Sequence, residues 1–319
     1  MMVCFSKKHF QSFLLMFVFF LAANAVSAQI NKADSTVQVI AYWNKGEKQI
    51  YDLEKTKYKI KGTDTTKTNV INCRVAVTVL DSTANSYTIE WKYLYCKSSE
   101  NNELYQKLND LSKDVKFIYK ISELGDFAEL LNWEEISAFY REVFKKISKD
   151  ISTEKPELKQ LIKNLENSFC SREYIESAAI KDIQQFHFFH GIKVKLGEEI
   201  TNKIPIPFPL TGSEIETDLT LFLDEIIEED DNYIIRCRQI FDSEALKKVM
   251  GDYIDSLTKS MGAKKDFEFS KDMKVSGDIY TSALIHDSGW LVYGIHTTTM
   301  DFESSVTIEE NTIEIVANE

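Results

Sequence analysis

Four stretches of the 319-residue sequence carry side chains that could do chemistry. His187-Phe188-Phe189-His190 sets two imidazoles three residues apart, a spacing that on a helix puts both rings on one side, where they could hold a metal or act singly as a base. No His-Glu-x-x-His and no paired carboxylate at a telling offset accompanies them. A helix end, where partly exposed histidine meets the negative end of the dipole, is the plainer expectation. His286-Asp287-Ser288 contains the three residue types of a hydrolytic relay, but neighbours within one turn cannot in general aim at one another in series. The sequence has no Gly-x-Ser-x-Gly elbow and no phosphate-cradling glycine loop. Asp224, Glu225, Glu228, Glu229, Asp230 and Asp231 concentrate carboxylates that could chelate calcium, without the Asp-x-Asp-x-Asp-Gly loop that sets ligand angles. A solvated hairpin tip that blunts edge pairing is their expected meaning. The fourth stretch is aromatic: Tyr87, Ile89, Trp91, Tyr93 and Tyr95 could line an apolar cavity or stack on a sugar, and are otherwise core beneath a covering layer. Tyr87, Ile89, Trp91 and Tyr93 are the candidate ligand-binding residues, with no cofactor and no metal assigned.

The aromatic run belongs to a hairpin. Ile71, Cys73, Val75, Val77 and Val79 alternate with polar or small residues, as do Tyr87 to Tyr95, and the polar stretch Asp81 to Ser86 between them has turn chemistry. Alternation of period two also marks Val37 to Trp43 and Lys48 to Lys61. In the latter, Tyr51 and Leu53 share one parity and Tyr58 and Ile60 the other, so a bulge is expected near Glu54 to Lys57. With a short helix carrying Leu104, Leu108 and Leu111 and further strands to Trp133, residues 29–133 read as an antiparallel meander. From Glu134 the period turns helical. Ile136, Phe139, Tyr140, Val143 and Ile147 form one stripe; Leu158, Leu161, Ile162, Leu165 and Phe169 form another behind Pro156. Ile175, Ala179, Ile183 and Phe186 form a third behind Ser171 as N-cap. These helices, residues 134–190, are expected to lie as a layer on the aromatic face of the sheet.

Residues 191–319 return to strands. Ile204 to Leu210, interrupted by Pro205, Pro207 and Pro209, must be an edge or an extended crossing. Leu219 to Leu223 should pair with Tyr233 to Cys237 across the acidic turn. A helix follows Asp242 or Ser243 with Leu246, Val249, Met250, Tyr253 and Leu257, and three strands end the chain. Asp287-Ser288-Gly289 and Glu309-Glu310-Asn311 are turn or bulge signals. The fold class is α+β: a large antiparallel meander, open or curved into a half-barrel, covered by a helical insert. In element order this resembles the half-barrel of bacterial periplasmic lipoprotein carriers and, as a sequence, the uncharacterised secreted proteins of Gram-negative bacteria.

Residues 1–28 read as a signal peptide: Lys7-Lys8, an apolar run from Phe13 to Ala23 too short for the roughly 20 residues of a bilayer span, and Val26-Ser27-Ala28 before the cut. An exported, periplasmic or extracellular protein without a lipid-bearing cysteine is expected. Its removal takes two lysines and no acid from a chain of formal charge −12, and the arginines cluster nowhere except at Arg236 and Arg238, so nucleic acid is excluded as a partner. Cys73, Cys96, Cys170 and Cys237 permit disulfides. In an undistorted ladder Cys73 and Cys96 would face opposite ways, and only a bulge could join them. The leading expectation is a non-enzymatic exported protein holding an apolar small molecule or lipid on its sheet. The rivals are a hydrolase with dispersed acids and His187 or His190 as base, and a structural or adhesion protein of the cell surface.

Overall fold

A computed structural model of the chain describes residues 29–99, 115–150, 156–176, 180–207, 213–260, 274–302 and 305–317. The expected signal peptide, the short helix at Leu104 to Leu111, Ala179, and the side chains of Ile147, Leu158, Leu161, Ile162 and Leu257 lie outside the described residues.

Two short strands, β1 (Ile30–Asn31) and β2 (Thr36–Gln38), open the chain, followed by β3 (Lys48–Lys61), β4 (Asp64–Thr83), β5 (Ser86–Ser98), β6 (Lys116–Ser122) and β7 (Phe127–Leu130). Helices α1 (Trp133–Asp150), α2 (Pro156–Phe169), the single turn α3 (Arg172–Tyr174) and α4 (Lys181–Phe186) come next. The second half runs β8 (Lys193–Lys195), β9 (Glu199–Pro207), β10 (Glu214–Ile227), β11 (Asn232–Phe241), α5 (Ser243–Ser260), β12 (Ser276–His286), β13 (Leu291–Asp301) and β14 (Val306–Ile315). Eleven strands form one antiparallel sheet in the order β7-β6-β5-β4-β3-β14-β13-β12-β11-β10-β9, open at both ends, and β1, β2 and β8 form a separate three-stranded sheet. The half-barrel reading therefore resolves into an open sheet.

This order explains where the helices go. Each half of the chain is a meander, and the halves meet where β14 pairs with β3, from Val306 opposite Ile60 to Ile315 opposite Tyr51. The two outer edges, β7 and β9, are then the ends of the helical connection, so the chain must cross the sheet from edge to edge between Leu130 and Glu199. It crosses on the face that carries Tyr51, Val75, Val77, Ile89, Trp91, Tyr119, Tyr233 and Ile235, all fully buried. The other face stays wet, with ion pairs such as Arg74 to Asp52 and Arg236 to Asp224.

Several local readings change. Val37 to Trp43 alternate as expected and their inward side chains are buried, but only β2 pairs, and it does so with β1 and β8; the rest is a strap through the core and no part of the meander. The expected bulge in β3 sits on its partner, between the pairs Lys57–Asn69 and Tyr58–Lys67. A second bulge, at Leu94, shifts the β4–β5 register between Val75–Tyr93 and Arg74–Tyr95. It throws Tyr95 to the wet face, beside the Arg74 guanidinium, and brings Cys96 directly opposite Cys73. Cys73 and Cys96 form a disulfide, which the undistorted ladder argued against. Glu309 to Asn311 are neither turn nor bulge but the middle of β14, where Glu309 pairs with Lys57 at 2.6 Å. Pro156 opens α2, and the Ser171 hydroxyl accepts from the Tyr174 amide as an N-cap. The third expected helix is broken into α3 and α4. Leu165, expected on an apolar stripe, is exposed, because α2 packs on α1 rather than on the sheet. Of the helices between β7 and β9, α4 lies over the centre of the sheet and α1 against β6. β9, with Pro205 and Pro207, is an edge strand as its prolines require. A smaller cluster of Ile215, Phe241, Leu246, Met250 and Val275 lies beneath α5, which Asp242 caps through the Ala245 amide.

Candidate functional site

The candidate ligand-binding residues sit where the strap and α4 cross β5. Tyr87, Ile89 and Trp91 are buried and Tyr93 is half-buried, all on the covered face by the alternation of β5. Tyr87 donates through its hydroxyl to the Ala41 carbonyl at 2.6 Å and lies 5.6 Å from the Trp43 ring. Trp91 meets Phe186 edge-on at 5.6 Å. The Tyr93 hydroxyl donates to Asp182 at 2.7 Å, and Lys55 pairs with the same carboxylate at 2.7 Å, which anchors α4. Burial, then the Asp182 charge, holds the Tyr93 phenol well above its ordinary range. Gln185 adds a hydrogen bond to the Asn311 carbonyl.

His187 and His190 belong to the same place. They are not the partly exposed helix-end pair of the sequence reading: α4 ends at Phe186, and the chain beyond it turns inward, so that His187 is buried and the His190 ring nitrogens are shut off from solvent. Their rings are 4.9 Å apart and pack around Trp43, which also stacks on Trp290 at 4.2 Å. His187 shares a hydrogen bond of 2.9 Å with the Tyr119 hydroxyl. Burial, and then His190, lowers the His187 pKa well below the usual imidazole value; burial lowers that of His190 to about 4. Both rings are therefore neutral near pH 7. Trp43 Nε1, Tyr51 Oη, Trp91 Nε1, His187 Nδ1 and both ring nitrogens of His190 make no full hydrogen bond among the described residues, although the Tyr93 side chain lies near Trp91 and the Gly289 and His187 backbones near His190. Orphan polar atoms gathered around one aromatic cluster are costly, on the order of 1 to 3 kcal/mol each. Sequence reading missed Trp43, Phe186 and Trp290 as its centre; the parity of Trp43 and the helical stripe of Phe186 signalled burial but not partners, and nothing marked Trp290.

The other candidates separate. The His286 ring and Ser288 hydroxyl are hydrogen-bonded at 2.8 Å, while Asp287 instead accepts from the Ile30 amide at 3.3 Å, so the three are not in series. In the acidic run, Asp224 pairs with Arg236 and Glu228 with Lys32, and no group of three or more His, Cys, Asp or Glu among the described residues could hold a metal ion. Cys170 and Cys237 are buried free thiols, and burial pushes Cys237 up to about 11. Beneath α4 and the following turn, against β12 and β13, remains a void of about 10 Å³ lined by Phe189, His190, Ala283, Leu291 and Gly294. A cleft of about 660 Å³ opens to solvent on the outer side of the strap, lined by Asn31, Gln38, Ile40, Tyr42 and Lys193 among others.

No family model and no curated protein sequence matches the chain. Among solved structures, a lipovitellin determined for its lipid–protein interactions overlaps 86% of this chain and 25% of its own, at 7% identity and a TM-score of 0.39. The chain thus spans a quarter of that protein. A DUF1329 family protein from Desulfovibrio piger overlaps 85% of this chain and 87% of its own at 8% identity and a TM-score of 0.16. A loop-deleted OmpT, an outer membrane protein of Vibrio cholerae, overlaps 86% and 100% at 6% identity and a TM-score of 0.20. These overlaps carry no argument about what the chain does.

Proposed function

We propose that this is an exported, non-enzymatic protein that takes an apolar ligand, a lipid chain being the favoured class, against the covered face of its sheet. The strap and the turn after α4 act as a cover that parts to admit it. The observation that supports this reading is how the cover is attached. Strap and turn are tied to each other by backbone hydrogen bonds, Val39 to the Ile192 carbonyl and Gly191 to the Val39 carbonyl, and the strap is held to the turn before β13 by one more, Tyr42 to the Ser288 carbonyl, which must break if the strap moves with them. α4 and the turn after it, in contrast, meet the eleven-stranded sheet through side chains: Tyr93 and Lys55 on Asp182, Gln185 on the Asn311 carbonyl, His187 on Tyr119. Lifting α4 and that turn therefore breaks no strand pairing in the large sheet, while uncovering Trp91 and Tyr93; moving the strap with them adds Tyr87 and, between them on β5, Ile89, an apolar wall of the kind that lines lipid sites. The residual void has room for about one water, so entry requires displacement of the cover.

Native mass spectrometry of protein purified from its own host is the test. A retained lipid mass, together with slower hydrogen exchange of residues 181–192 on adding that lipid to stripped protein, is the expected result. Bare protein whose exchange no lipid or hydrophobic dye alters would overturn the reading and leave a filled, structural fold.

A further inference from the structure

We propose that His187 and His190 form an acid-operated latch: taking up a proton at either ring drives the strap and the α4 turn off the sheet while the sheet stays folded. The latch rests on the preceding reading only for what its opening would expose; its geometry is that of the ligand-free chain.

Three segments that are distant in sequence close on the pair: the strap, the β6–β7 hairpin and the turn before β13. Trp43 of the strap lies 6.0 Å from the His187 ring and 5.5 Å from that of His190. Tyr119 of β6 holds His187 Nε2. The turn before β7 presses on His190 so closely that a Cβ at Gly125, which has φ +83°, would stand 2.1 Å from the His190 Cβ. The turn before β13 closes on the strap in the same way, a Cβ at Gly289 falling 2.6 Å from the Ile40 carbonyl oxygen. There is thus no slack for the imidazoles to swing toward water without the segments separating.

Nor is there an anion to pair with an imidazolium. The carboxylates on the elements around the pair are engaged elsewhere: Asp182 with Lys55 and Tyr93, Glu47 with Asn44 and Trp290, Asp126 with Ser122, Asp287 with the Ile30 amide. Glu123, on the Gly125 turn, acts on neither imidazole, and the nearby cation Lys55 belongs to Asp182. An imidazolium here would be desolvated and would face a second imidazole 4.9 Å away and, at His190, the Gly289 and His187 backbones, which offset only part of the desolvation, and no anion. Once the cover lifts, both rings reach water and bind protons near the ordinary value of 6.5, whereas in the closed form His190 resists until about 4. The closed state is therefore fully stabilised above pH 6.5 and loses stability as the pH falls from there toward 4.

Hydrogen exchange of the ligand-free protein, expressed as protection factors so that the intrinsic pH dependence cancels, tests this directly. Between pH 7.5 and pH 5, protection of residues 39–43 and 183–192 should fall at least about ten-fold, with β3 to β5 changing less than about three-fold. The near-ultraviolet signal of the Trp43–Trp290 stack should be lost over the same range. His187→Phe/His190→Phe should abolish the acid response. His296→Asn, which removes a half-buried histidine hydrogen-bonded to Thr281, should leave it intact. Uniform loss of protection across sheet and cover, no loss at all, or a response that follows His296 would overturn the latch; if the double variant does not fold, the wild-type exchange pattern and the His296→Asn result still decide. Acid opening without dye or lipid uptake would sink the ligand reading and leave the latch standing. Equal uptake at both pH values with a closed cover would do the reverse.

Discussion

Beneath α5, the buried contacts are made by Ile215, Phe241, Leu246, Met250 and Val275, and none of them brings a polar side-chain atom. Beneath the strap and α4, the core is larger and aromatic, and it encloses His187 Nδ1, both ring nitrogens of His190, two indole nitrogens and the Tyr51 hydroxyl without a full hydrogen bond among the described residues. Apolar area contributes alike in both places, at about 25 cal/mol per Å², but each orphan polar atom offsets part of the gain in the second. The region that buries more is therefore the one with the physical reason to open.

Three substitutions, the first with Lys92→Ala as its control, sharpen or break this contrast. Trp91→Ala removes the ring that joins β5 to Phe186 and should cost about 3 to 5 kcal/mol in denaturant melts. Lys92→Ala, one residue along on the other face, should stay within about 0.5 kcal/mol; equal losses would mean that the two faces are wrongly assigned. Next in size, Leu246→Ala should cost about 2 to 3 kcal/mol, at the low end for a buried leucine. Its loss of exchange protection should be confined to α5 and its neighbours in β10 and β12. Deprotection of β3 to β5 as large as that from Trp91→Ala would show the two clusters to be one cooperative unit. Smallest, Ser171→Ala removes the cap on α3 and should cost about 1 kcal/mol. That loss should appear as faster exchange in the segment leading to α4, with α5 unmoved.

How much of this was legible in the sequence follows from whether the determinants are local. Lys48 to Lys61 alternate with one change of parity and β3 has those bounds; Pro205 and Pro207 assign β9 to an edge because each lacks an N–H; Ser171 caps a helix. The Leu94 bulge was not legible, because nothing in the residues around it distinguishes one extra position from continued alternation, and with it went the fate of Tyr95 and the Cys73–Cys96 disulfide. The pairing of β14 with β3 joins residues about 250 apart in the chain and leaves no mark on either segment. The candidate site was half visible. The parity of Tyr87 to Tyr93 placed them on the covered face, but that Trp43, His187 and Trp290 would fill the space above them depends on three turns whose approach no period encodes.

The seam between β3 and β14 also fixes an order of events. Until the last strand is synthesised, β3 presents a row of unpaired backbone groups beside a finished meander, the kind of edge to which other chains add. Loss of the final dozen residues would accordingly not trim this protein at its margin; it would divide the sheet down its middle.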